Sequence, residues 1–260
     1  MPDIRIMPTT FLSDNQTIVG DFVLPDGDGP FPGICKFHGL PGGPDQVRGI
    51  ASELARHGFA VLTFDFRGFR RSEGLFSLKG MIIDAINALD HLIETDLVRR
   101  DWLGVYGASF GGAVAVCTAV RDDRVKAVCI RAPVYDTLHF AQMPFFHSLP
   151  DEVYLDMAQA FKGVDDVSIR ERMLEQLVKD ADYINPRDEL VEIAPRSLFI
   201  TTGGRDEVID SAGVRNLFER AREPKEFLLI EDADHQLTDA TSREQTHRAV
   251  IEWFLKQIPL

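Results

Sequence analysis

The run from Trp102 to Val116 constrains this chain more than any other stretch. It starts as a short apolar segment of strand character, passes through Gly107-Ala108-Ser109-Phe110-Gly111, and continues into small residues that suit a helix start. A G-x-S-x-G pentapeptide between strand and helix requires a sharp turn with the serine at its tip. Backbone at such a tip is strained, and side chains two residues to either side would collide. Gly107 and Gly111 remove those collisions, and Gly112 is expected to let the helix pack close to the strand. The helix start then points free N–H groups and the positive end of its dipole at whatever Ser109 attacks. Taken alone, the pentapeptide also fits a glycine-rich turn with an incidental serine, so the decision rests on the residues downstream.

A serine nucleophile needs a general base and a group that orients the base. The strand-like run from Ser197 to Thr202 ends in Gly203-Gly204-Arg205-Asp206, and the run from Phe227 to Ile230 leads into Glu231-Asp232-Ala233-Asp234-His235. Serine, acid and histidine therefore follow in that order, the last two each behind a strand. With these three motifs the chain resembles the α/β-hydrolase superfamily, in particular its serine esterases and prolyl-oligopeptidase-like members, over nearly its whole length. The resemblance implies an α/β fold: a mostly parallel eight-stranded sheet with helices on both faces. It also implies Ser109 as nucleophile, His235 as base and Asp206 as the orienting acid. Glu207, Asp232 and Asp234 are rivals for the last role. Asp206 is preferred because it follows the glycine turn at the position the family uses, and a residue beside His235 would have difficulty reaching its ring.

The 260 residues and 45% hydrophobic content suit one sizeable α/β domain with a substantial core. A formal net charge of −13 argues against nucleic acid and anionic membrane surfaces as partners. No apolar run reaches the length of a membrane span, and the first residues lack the pattern of a signal peptide. Cys35, Cys117 and Cys129 each lie in an apolar segment; an odd number so placed reads as buried free thiols in a reducing compartment. The expected location is the cytoplasm. A homodimer is left open.

Residues 4 to 24 alternate around the turn Ser13-Asp14-Asn15-Gln16 and predict an antiparallel hairpin at a sheet edge. The next strand, from Gly33 to Phe37, delivers His38-Gly39-Leu40-Pro41-Gly42-Gly43. The family resemblance assigns this loop to the oxyanion hole, with the Leu40 backbone N–H as one donor and that of Phe110 as the other. The alternative is a flexible turn. His38 reads as a buried structural histidine, not a base. The strand from Phe59 to Phe64 runs into Asp65-Phe66-Arg67-Gly68-Phe69-Arg70-Arg71-Ser72, similar to a family segment in which glycine usually stands where this chain has Arg70. Arg67, Arg70 and Arg71 lie at a carboxyl strand end, where such sheets bind ligands. Arg70 is a candidate for holding a substrate carboxylate; the competing reading is arginines in surface ion pairs.

After the strand that ends near Ile130 the alternation breaks. Between Pro133 and Pro186 only aromatic loop and helical patterns occur, with helices predicted over 155–161 and 169–178. An insertion of this length matches the cap of lidded α/β-hydrolases, dividing the chain into a core of 1–132 and 187–260 and a cap of 133–186. The cap follows the sixth strand. Tyr135, Phe140, Met143, Phe145 and Phe146 are its candidate substrate-facing residues, although such a stripe also serves as packing. His139 and His147 lie in the cap, while His57, His91 and His247 read as surface or packing residues on helices.

The expected activity is hydrolysis of small or aromatic carboxylic esters through an acyl-enzyme, with no metal or organic cofactor called for. The alternatives are an aminopeptidase or acyl-peptidase of prolyl-oligopeptidase type, a thioesterase, and a non-catalytic binding protein that keeps the fold. The intact serine, acid and histidine argue against the last.

Overall fold

The alternation of the first residues builds a hairpin of β1 (Ile4–Ser13) and β2 (Gln16–Pro25), paired antiparallel from Ile4↔Pro25 to Ser13↔Gln16. Asp14 and Asn15 close it with φ of 48° and 61°. Both central residues of this two-residue turn are left-handed, which matches the twist of the strands. The computed structural model describes residues 3–43, 48–143 and 149–259. The predicted Phe145, Phe146 and His147 lie outside the described residues.

The remaining strands are β3 (Phe31–Phe37), β4 (Ala60–Phe64), β5 (Val98–Ala108), β6 (Val125–Arg131), β7 (Ser197–Gly203) and β8 (Lys225–Ile230). They form one eight-stranded sheet in the order β1-β2-β4-β3-β5-β6-β7-β8. β1–β2 and β2–β4 are antiparallel, and every later pair is parallel. The mostly parallel sheet with an antiparallel edge is the one expected from the sequence.

Strand residues alternate between two cores. Ile34, Val61, Tyr106 and Cys129 face α1 (Ile50–Arg56) and α9 (Ala240–Gln257), packing with Leu54, Trp253 and Phe254. Cys35, Leu62, Val105 and Ile130 face the other way, against α2 (Leu78–Glu94) and α3 (Phe110–Arg121). Helices therefore cover both faces, and parallel strands buried on both sides carry apolar runs. α2 starts at Leu78 because Ser77 caps it by accepting from the Gly80 N–H. All three cysteines are buried and free. Among the described residues no helix is long and apolar enough to cross a membrane.

Between β6 and β7 the chain forms α4 (Thr137–Ala141), α5 (Asp151–Met157), α6 (Val167–Ala181) and α7 (Pro186–Glu189), then a 3₁₀ turn over Leu190–Ile193. α5 begins four residues earlier than the sequence pattern suggested. α8 (Ser211–Arg220) links β7 to β8. The segment from 133 to 186 adds no strand to the sheet among the described residues, apart from a single bridge between Phe161 and Phe69. It reaches the carboxyl end of the sheet: Phe140 lies 5.4 Å from the Phe110 ring, and Asp180 of α6 accepts the Lys79 N–H at 2.9 Å.

Candidate active site

Ser109 occupies the junction of β5 and α3 with φ 55° and ψ −125°, a region L-residues rarely adopt. Its backbone is bound on both sides. The N–H donates to the Arg131 carbonyl at 2.9 Å, and the carbonyl accepts from Gly112 at 2.9 Å and Val134 at 3.0 Å. A Cβ on Gly107 would collide with the Gly111 carbonyl, and one on Gly111 with the carbonyls of Phe37 and His38 at the end of β3. The role expected of Gly112 is corrected. A Cβ there would stand 2.7 Å from that of Pro133, so its missing side chain admits the chain leaving β6, while Gly111 provides the close approach to a strand.

The loops after β7 and β8 run side by side, because Gly203 has no side chain to strike the Ala233 carbonyl. Gly204 N–H donates to Ile230 O at 2.9 Å and Arg205 N–H to Ala233 O at 3.0 Å, tying the loops together. This brings Asp206 and His235 to one point. Asp206 Oδ2 lies 2.7 Å from His235 Nδ1, and His235 Nε2 lies 3.1 Å from Ser109 Oγ. Asp206 Oδ1 accepts the N–H groups of Val208 at 2.9 Å and Ile209 at 2.8 Å. Burial pushes this carboxyl up, but the His235 hydrogen bond and those backbone N–H groups outweigh it and hold Asp206 below the ordinary carboxylate range. An ionised Asp206 can only accept, so His235 carries its proton on Nδ1 and presents the Nε2 lone pair to Ser109. Two of the rivals are engaged elsewhere. Asp232 pairs with Arg205 at the surface, and Asp234 accepts from the N–H and hydroxyl of Thr238.

His38 is buried, as expected of a structural histidine. Its Nε2 accepts the Phe66 N–H at 3.0 Å, which leaves the proton on Nδ1, donated to the Gly39 carbonyl at 2.7 Å. Burial pulls its pKa down to about 4, so it is neutral at pH 7. N–H and C=O point opposite ways in a trans peptide, so holding the Gly39 carbonyl turns the Leu40 N–H away from the imidazole. Among the described residues, neither the Leu40 nor the Phe110 N–H finds an acceptor.

A cavity of about 390 Å³ opens at Ser109 and His235. Lys36, Tyr106, Arg131 and His247 line its far side. None of these four was singled out from the sequence, and His247 in particular had read as surface or packing. Arg131 Nη1 donates to the His235 carbonyl at 2.8 Å and its guanidinium lies against the Tyr106 hydroxyl, so it braces His235. A second, apolar cavity of about 40 Å³ lies on the other side of Leu40, lined by Phe76 and by Tyr154, Met157, Phe161, Met173 and Leu177.

The candidate pocket residues fare differently. Tyr135 packs against Gly213 of α8 and lines a separate pocket with Asp136 and Arg187, so its ring is turned away from Ser109. Phe140 packs at a tilt against Phe110 but lines neither Ser109-side cavity, and Met143 follows it on a turn. Much of the apolar lining comes from Tyr154 and Met157 of α5 and from α6, where Met173, Leu174 and Leu177 repeat at helical spacing. That periodicity was visible in the sequence; which way the stripe faced was not. Arg67 binds Asp84 through Nε and Nη2, and Arg71 binds Asp65 and Asp21. Arg70 lines neither cavity and instead donates to the Gly42 carbonyl at 3.1 Å. Among the described residues no group of three His, Cys, Asp or Glu side chains is placed to hold a metal ion.

YfhR of Escherichia coli is 26% identical over 230 residues, covering 86% of this chain and 72% of that protein. A hypothetical protein of Pseudomonas aeruginosa superposes with a TM-score of 0.76 at 21% identity, covering 98% of this chain and 94% of its own. An esterase of Pyrococcus furiosus superposes with a TM-score of 0.75 at 20% identity, over 99% of this chain and 92% of its own. The family model for the alpha/beta hydrolase fold matches residues 34–168, more than half of the sequence, and spans both the Leu40 loop and the Ser109 turn. The chain belongs to the alpha/beta hydrolase fold family.

Proposed function

We propose that this protein is a serine hydrolase that cleaves small carboxylic esters through an acyl-enzyme. One observation carries this: His235 bridges Ser109 Oγ and Asp206 Oδ2 with its two ring nitrogens. His235 Nε2 takes the hydroxyl proton as Ser109 Oγ attacks the acyl carbon, and Asp206 stabilises the imidazolium. The Leu40 and Phe110 N–H groups receive the developing oxyanion. His235 then gives the proton to the leaving alcohol, and a water activated by the same ring releases the acid. The cavity of about 390 Å³ at Ser109 matches a small-molecule substrate. The esterase of Pyrococcus furiosus, with the same fold, favours esters over the other acyl compounds. Residues 133–186 act as a cap, and α5 and α6 supply the apolar wall that receives the acyl chain.

A fluorophosphonate probe tests the reading directly. It is expected to label the wild-type protein at Ser109 and to leave Ser109→Ala unlabelled, with turnover of p-nitrophenyl acetate lost in the same variant. Labelling that survives in Ser109→Ala would remove Ser109 as the nucleophile.

A further inference from the structure

Arg70 stands in the loop between β4 and α2 with φ 43°. An L-residue held left-handed is strained, and a glycine would not be. A second cost is added: its Nε is buried and finds no acceptor among the described residues. The backbone of this loop belongs to the cap side. Arg70 N–H donates to the Ala160 carbonyl at 3.1 Å, Lys162 N–H donates to the Gly68 carbonyl at 2.8 Å, and Phe69 bridges Phe161 between them. The guanidinium points elsewhere. Its Nη2 donates to the Gly42 carbonyl, two residues beyond Leu40. Of the three arginines in the loop, Arg67 and Arg71 are satisfied by carboxylates, and Arg70 is the one that reaches the Leu40 loop.

Glycine at position 70 would satisfy the backbone and keep the N–H bond to Ala160. The bond to Gly42 is what the arginine side chain adds in return for both costs. Strain that persists against an easy remedy points to a role at the site it touches. We infer that Arg70 is a positioning residue, a strut from the 160–162 segment to the 39–43 loop that keeps the Leu40 N–H aligned with the oxyanion. The inference rests on the serine-hydrolase reading, because a strut under an oxyanion donor matters only where an oxyanion forms.

The test compares Arg70→Gly and Arg70→Lys with wild type by thermal unfolding, by kinetics on p-nitrophenyl acetate, and by amide exchange. Arg70→Gly is expected to unfold near the wild-type temperature, since the relieved φ offsets the lost bond. Amides in the peptide carrying Leu40, Gly42 and Gly43 should exchange faster, with the 157–162 peptide unchanged. An oxyanion donor acts on the transition state, so kcat should fall about tenfold with KM unmoved, a fraction of the loss on deleting a donor outright. Arg70→Lys should recover part of that kcat, because an ammonium can still donate to Gly42. A kcat for Arg70→Gly within about twofold of wild type, or loss of kcat without faster exchange at Leu40, overturns the strut; so does a raised KM at constant kcat, which would make Arg70 a substrate ligand. Wild-type fluorophosphonate labelling is recorded alongside. If it is absent, the hydrolase reading fails and takes the strut with it; if it is present while the Arg70→Gly kcat holds, the strut alone fails.

Discussion

Ser109, Asp206 and His235 are placed by main chain, to which Val134 at the start of the 133–186 segment also contributes, whereas α5 and α6 of that segment face the Leu40 side mainly through side chains. The serine N–H is bound into β6, its carbonyl into two further N–H groups, and the loops bearing Asp206 and His235 are laced together by backbone bonds. On the other side of Leu40 the wall is Met157, Phe161, Met173 and Leu177, with few backbone bonds to the core beyond those at Gly68 and Arg70. Main-chain placement admits few residue types at a position, since a single Cβ at Gly107 or Gly111 collides with a carbonyl. Side-chain packing accepts any group of suitable volume. Substitutions in the first region should therefore act on turnover, and those in the second on which substrate is turned over.

The sharpest test of the first half of that contrast is Asp206→Asn. The amide is nearly isosteric, so the fold should persist. An asparagine that accepts from Val208 and Ile209 would present its NH₂ to His235, forcing the ring proton onto Nε2 and facing Ser109 with a donor. Turnover should drop by about 10⁴, as in the serine-protease precedent. Asp232→Asn and Asp234→Asn, which disturb a surface ion pair and local bonds to Thr238, should leave turnover near wild type. A steady-state comparison of the three variants decides it. Retention of most turnover in Asp206→Asn with its loss in either of the others would redraw the triad.

The same contrast explains what could be read beforehand. The hairpin and the Ser109 turn announce themselves locally, because turn conformation and glycine demand are properties of a few adjacent residues, whereas Asp206 and His235 were picked out by the resemblance of their loops to those of the family. Arg131, Tyr106 and His247 reach the site from three separated elements, β6, β5 and α9, and nothing adjacent to them in the chain signals a shared cavity. Tyr135 failed for the opposite reason. Its ring is aromatic and sits beside the site in sequence order, but Gly213 of α8 leaves a slot that the ring fills. Gly112 was correctly marked as a close approach and assigned the wrong partner, since pattern identifies a missing side chain and not the neighbour that needs the space.

A second test addresses the main-chain region through pH. His38 has a folded pKa of about 4 against an ordinary value of 6.5, because burial disfavours its charged form and Phe66 already donates to Nε2. The unfolded chain takes up the proton near pH 6.5 and the folded one does not, so the folded state loses stability as pH falls from 6.5 towards 4. The loss from this group amounts to about 3 kcal/mol at the lower end. His91 and His247 are also shifted down by burial and act in the same direction. Both are present in His38→Gln, so their share cancels. Urea unfolding at pH 7 and pH 4 should show a fall in His38→Gln smaller by about that amount. Equal falls in the two proteins would mean that the imidazole is not held neutral over the Gly39 carbonyl.

The smallest expected effect belongs to the proposed cap, and it tests the second half of the contrast. Met157 is half-buried at the wall of the apolar cavity, beside Leu40 and Phe161. Truncating it to alanine removes three heavy atoms without touching any backbone bond to the core, so Ser109 labelling should proceed at the wild-type rate. The enlarged cavity should admit a longer acyl chain. Two further methylenes buried there are worth about 0.8 kcal/mol each, which raises the ratio of kcat/KM for p-nitrophenyl hexanoate over acetate by roughly tenfold. The gain should come with little change for acetate, whose acyl group does not reach the wall. An unchanged ratio would show that the cavity behind Leu40 is packing and that the acyl chain lies elsewhere. A collapse of acetate turnover in Met157→Ala would show instead that the cap, like the core, takes part in placing the catalytic groups.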